Sequence, residues 1–93
     1  MDKVTLNSGL ELEVDVDILD DWDFFTLLRQ IDKGDTGAIV DIIPAALGEE
    51  QFEKLKAHLK NEKGKVKASD MVNAFYELFE NIQKLKNSSS SAA

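Results

Sequence analysis

The sequence predicts an α+β fold, mainly α, with an N-terminal β-hairpin over about residues 3–14 packed on four helices at about 18–33, 36–47, 49–62 and 69–86. Three observations carry this prediction. Apolar and polar residues alternate through the first fourteen positions, the spacing switches to threes and fours after Asp17, and Gly34, Gly48 and Gly64 stand where successive helical runs stop.

The hairpin comes first. Val4 and Leu6 share one face, Asn7-Ser8-Gly9 supplies turn chemistry, and Leu10, Leu12 and Val14 resume the period of two with Glu11 and Glu13 between them. One face is therefore apolar and the other acidic. A lone hairpin is marginal in water, so helices must cover its apolar side.

From Asp17 onward, Ile18, Trp22, Phe25 and Leu28 recur at helical steps. Asp17 is the expected N-cap, and Asp20, Asp21 and Asp23 suit the positive end of the helix dipole. On one continuous helix the apolar residues fall into two groups: Ile18, Trp22 and Phe25, then Phe24, Leu27, Leu28 and Ile31. Together they span about 220°, whereas burial on one face needs only about 100°. Either this helix is central and covered on two sides, or part of it awaits a partner. Trp22 and Phe25 are assigned to the core, and Phe24, Leu27 and Ile31 to a partner-binding surface.

Asp35 or Thr36 then caps an almost wholly apolar segment ending at Leu47, which predicts a helix buried all round, bent or divided by Pro44. Glu49 and Glu50 open the third helix, with Phe52, Leu55 and Leu59 as a narrow stripe. Lys65-Val66-Lys67 is an extended connector. The last helix starts at Ala68 or Ser69 and places Met71, Val72, Phe75, Leu78, Phe79, Ile82 and Leu85 on one face of about 160°. One globular domain is expected over 1–86, followed by a flexible Ser/Ala-rich tail over 87–93.

The 93 residues include 18 acids and 11 bases, for a net charge of −7. Residues 1–50 carry 13 acids and 3 bases, and residues 51–93 carry 5 acids and 8 bases, so the two halves have opposite net charge. Such a field argues against general nucleic-acid binding. No cysteine is present, which excludes disulfides, thiol catalysis and thiolate metal sites. The first residues lack the pattern of a signal peptide, and the longest apolar run falls well short of the roughly 20 residues needed to span a bilayer. A cytoplasmic protein is expected.

Sites of chemistry are hard to find. Glu11, Glu13, Asp15 and Asp17 alternate and Asp20, Asp21 and Asp23 follow, but a calcium loop needs a glycine at its bend and a terminal bidentate acid, neither at the required offset. The loop around Gly64 has the glycine, yet Leu59 and Lys63 fall where oxygen ligands belong. His58 is the only histidine, with no nucleophile and orienting group arranged around it, and no glycine-rich phosphate loop occurs. Lys54, Lys56, Lys60, Lys63, Lys65 and Lys67 form a basic face without interleaved aromatics, suited to solvent or to an acidic partner. No catalytic, metal or cofactor site is expected.

The runs "LNSGLELEVDVDILDDWDFFTLLRQIDKGD" and "LGEEQFEKLKAHLKNEKGKVKASDM" resemble the small tail assembly chaperones of long-tailed phages and prophages of Gram-positive bacteria. The likeness lies in a hairpin, an acidic stretch entering a helix with Asp21-Trp22 and an aromatic pair, a Leu-Gly-Glu-Glu-Gln helix start, and a Gly-x-Val connector. It covers nearly all of residues 3–86 and consists of packing and capping features. Pro44 departs from it. The resemblance implies a non-enzymatic protein that holds the aggregation-prone tape measure protein during tail assembly, helps recruit the tail tube protein, and is absent from the finished virion. It also implies a longer form of the same chain made by ribosomal frameshifting, and Leu85-Lys86-Asn87 is codable as a slippery adenine run. Homo-oligomers are compatible with this picture. The alternative is an acidic inhibitor or nucleic-acid mimic acting through its surface charge.

Overall fold

The computed structural model describes residues 1–91, with side chains through Asn87. Two antiparallel strands, β1 (Asp2–Thr5) and β2 (Glu11–Val14), lead through a 3-10 turn (Val16–Asp20) into helices α1 (Trp22–Asp32), α2 (Ala38–Leu47), α3 (Glu49–Leu59) and α4 (Ala68–Ser91). The α+β, mainly α architecture read from the sequence is thus the fold.

The hairpin pairs Asp2 with Val14, Lys3 with Glu13, Val4 with Leu12 and Thr5 with Glu11. The register puts Val4, Leu6, Leu12 and Val14 on the buried face and the charged residues outside. Helices tie down the turn and the edge of β2. The Glu77 carboxylate of α4 accepts from the Asn7 amide (3.1 Å to each oxygen), the Gln51 side chain of α3 accepts from the Glu13 amide (2.9 Å), and His58 Nε2 lies 2.9 Å from Ser8 Oγ. One core receives the hairpin face, Phe24, Ile42, Ile43, Ala46, Leu47, Leu55, Phe75, Leu78 and Ile82.

The first helical segment departs from expectation. Rather than one helix over 18–33, the chain makes the 3-10 turn, passes through Asp21 in an extended conformation (φ −85°, ψ 131°), and restarts as α1. The cause is local capping by acids. Asp15 Oδ1 accepts from the Asp17 amide at 3.0 Å, and Asp21 Oδ2 accepts from the Phe24 amide at 3.0 Å. Each short carboxylate captures the backbone two or three residues ahead, which favours caps over continuous helix. The N-cap of α1 is Asp21, not Asp17.

α2 runs unbroken through Pro44, contrary to a division there. Proline deprives only the Val40 carbonyl of its donor, and Val40 lies on a turn open to water with its side chain 72% exposed. Val40 and Ala45 also correct the expectation that this helix is buried on all sides. Gly48 ends α2 and begins α3 in a conformation (φ 79°, ψ 162°) that only glycine adopts readily. α3 ends at Leu59 rather than near residue 62, because Asn61 Oδ1 accepts from the amides of Lys63 (2.9 Å) and Lys65 (3.1 Å) and closes a turn completed by Gly64. α4 continues through Asn87 to Ser91, so the tail expected to be flexible from residue 87 is helical over 87–91; a serine costs a helix only about 0.5 kcal/mol relative to alanine. The last two residues of that expected tail lie outside the described residues.

Candidate interaction surface

α1 sets the geometry of the most unusual surface. Starting the helix at Trp22 and turning about 100° per residue gathers Leu27, Ile31, Phe24 and Leu28 within an arc of about 100°. This arc packs chiefly against α2, and Phe24 stacks on Phe79 of α4 with ring centroids 6.0 Å apart. Trp22, Phe25, Thr26, Arg29, Gln30 and Lys33 are left on the outward side, where they line a shallow apolar-floored depression.

The structure reverses the two aromatic assignments made from sequence. Phe24, expected on the partner surface, is completely buried, and Leu27 and Ile31 are half-buried against the core. Trp22 and Phe25, expected in the core, are 77% and 54% exposed. Their rings sit 6.3 Å apart, tilted by 38°, in the geometry of an aromatic pair turned toward solvent. The signal was present. Phe24, Leu27, Leu28 and Ile31 form the larger and tighter group at helical spacing, and a group of four over about two turns is a core stripe.

Charge marks this patch as well. Arg29 and Lys33 are two of only three bases in residues 1–50, and both fall on the aromatic face. Among the described residues neither has a carboxylate within ion-pair distance, whereas Lys56, Lys84 and Lys86 each do. Acids crowd the opposite end of the helix at Asp20, Asp21 and Asp23. The patch therefore combines exposed rings, uncommitted cations and an acidic approach.

The remaining candidates resolve into structural roles. Asp15 and Asp21 act as caps, and Asp17 accepts from Lys86 Nζ at 3.1 Å. Among the described residues no group of three or more histidines, aspartates or glutamates is arranged to hold a metal ion. The oxygen of Asn61 that a cation would need is engaged by its own loop. His58 is bonded to the hairpin turn, and Lys56 lies 5.1 Å over the Phe52 ring while pairing with Glu53 at 3.4 Å. Among the described residues no helix is long and apolar enough to cross a membrane. Tyr76 is exposed singly on α4, which is ordinary for a protein surface. Comparison of the chain with protein-family models, with curated proteins and with solved structures yields no match.

Proposed function

We propose that this chain is a non-enzymatic tail assembly chaperone of a long-tailed phage or prophage, which binds and solubilises the tape measure protein in the cytoplasm of the bacterial host. One observation carries the reading: the exposed Trp22–Phe25 pair on a helix whose opposite face is already satisfied by the core. Two adjacent aromatic rings held in water on a short, capped helix offer a rigid anchor for an apolar helical segment, and aromatic anchors dominate protein–protein contacts. The surrounding negative charge opposes open-ended aggregation through that patch. The resemblance of residues 3–86 to the chaperone family supplies the client, and with it the tail tube protein and a frameshifted longer form as further partners.

The reading as an acidic mimic draws less support, because Asp15, Asp17 and Asp21 are engaged in caps and an ion pair instead of forming a free charged array. Co-expression with the tape measure protein encoded nearby tests the proposal. A soluble complex that co-purifies is expected; a tape measure protein that is equally insoluble with and without this chain contradicts it.

A further inference from the structure

We propose that the outward face of α1 also binds a second copy of this chain, with the two α1 helices antiparallel about a two-fold axis. Two-fold association requires a surface that complements itself. The face of α1 does so along its length. Its N-terminal end carries Asp20, Asp21 and Asp23 with the exposed rings of Trp22 and Phe25, and its C-terminal end carries Arg29 and Lys33, which have no ion-pair partner among the described residues. At about 100° per residue, Trp22, Thr26, Arg29 and Lys33 form the central row, with Phe25 and Asp32 on one flank and Asp23 and Gln30 on the other.

Antiparallel docking sets Trp22 against Lys33 of the second copy and Thr26 against its Arg29. Each ring then receives a cation over its face, a contact worth most where water is excluded. Asp23 meets the basic end of the opposite helix, and the two helix dipoles run in opposed directions. A parallel arrangement would bring acids onto acids and bases onto bases. Thr26, small and central, lets the backbones approach.

The contact is small. Two helices of eleven residues, each about 16 Å long, bury less than the ~1,200 Å² of a standard stable interface. The dimer is accordingly weak and exchanging, with a dissociation constant on the order of 10–100 µM. A second copy and a client would compete for one face, so self-association stores the sticky surface until a tighter partner displaces it. That competition rests on the chaperone reading; the dimer itself does not.

Sedimentation velocity of the purified full chain, without client, over concentrations on the order of 10 µM to 1 mM tests the inference. The wild-type chain is expected to shift from monomer to dimer. Asp23→Lys and Lys33→Asp, both exposed and outside the core, should each remain monomeric because each sets like charges against one another where residues 23 and 33 of the two copies meet. An equimolar mixture of these two variants should recover a heterodimer, since unlike ends then meet at both contacts. Trp22→Ala should raise the dissociation constant tenfold or more. A wild-type chain that stays monomeric throughout, or dimers untouched by all three substitutions, or a mixture that fails to associate, overturns the proposal. A chain that dimerises in this way but leaves its client insoluble counts against the chaperone reading alone.

Discussion

Phe24 and Phe25 are adjacent in sequence, identical in chemistry and opposite in environment, so replacing each by alanine measures the orientation of α1 directly. Phe24 has no exposed surface and stacks on Phe79, inside a core that also receives Phe75, Leu78 and Ile42. Removing a fully buried phenylalanine forfeits its transfer free energy and leaves a cavity, about 3–5 kcal/mol in total. A domain of this length has roughly 5–14 kcal/mol of stability, so Phe24→Ala removes a large share of it. Phe25 is about half exposed, and its main contact is a tilted ring that is itself in water. Its loss should cost no more than about 1 kcal/mol. Urea unfolding followed by circular dichroism reads both numbers, with Phe24→Ala shifted strongly to lower midpoint and Phe25→Ala close to wild type. Equal losses for the two variants, or a larger loss for Phe25→Ala, would refute the placement of α1.

Three further outcomes follow from the same geometry. Asp21→Ala removes the carboxylate that accepts from the Phe24 amide and should lower stability by about 1 kcal/mol in the same urea assay, with Asp21→Asn retaining most of it. Gly48→Ala meets no neighbouring atom within 4 Å, yet its backbone conformation is strained for any side chain, so about 1–3 kcal/mol should be lost without a packing defect. Client binding through the aromatic pair should vary little between low and moderate salt, as measured by calorimetry, whereas an acidic mimic would lose affinity steeply over the same range.

The hairpin, the order of elements and most of the core were legible in the residues because each rests on local periodicity. Val4, Leu6, Leu12 and Val14 alternate, Phe75, Leu78 and Ile82 recur at helical spacing, and all are buried. On α1 the buried and exposed aromatics were interchanged: Phe24 is in the core, and Trp22 and Phe25 face solvent. The reason is the Asp21 break. Running one helix through Ile18 aligns Ile18 with Trp22 and Phe25 as an apparent stripe; once Ile18 belongs to a separate 3-10 turn, that stripe loses its anchor and Phe24, Leu27, Leu28 and Ile31 remain as the core face. A cap formed by an aspartate inside an acidic run gives no distinct signal, since every acid there is an equally good candidate. The helical continuation of α4 past Lys86 was illegible for a different reason: serines suit caps and linkers, and only helix propagation from the preceding turns overrides that preference.

The central claim, that the outward face of α1 is where the client docks, is tested most directly by amide chemical-shift mapping. The labelled chain is titrated with soluble helical segments of the tape measure protein. Because the sequence contains a single tryptophan, its indole N–H is one resolved reporter at the centre of the surface. The account predicts shifts concentrated at Trp22, Phe25, Thr26, Arg29, Gln30 and Lys33, with the Trp22 indole among the largest, and their loss in Phe25→Ala. Shifts centred on the lysine face of α3 or on the hairpin acids, with α1 silent, would contradict it.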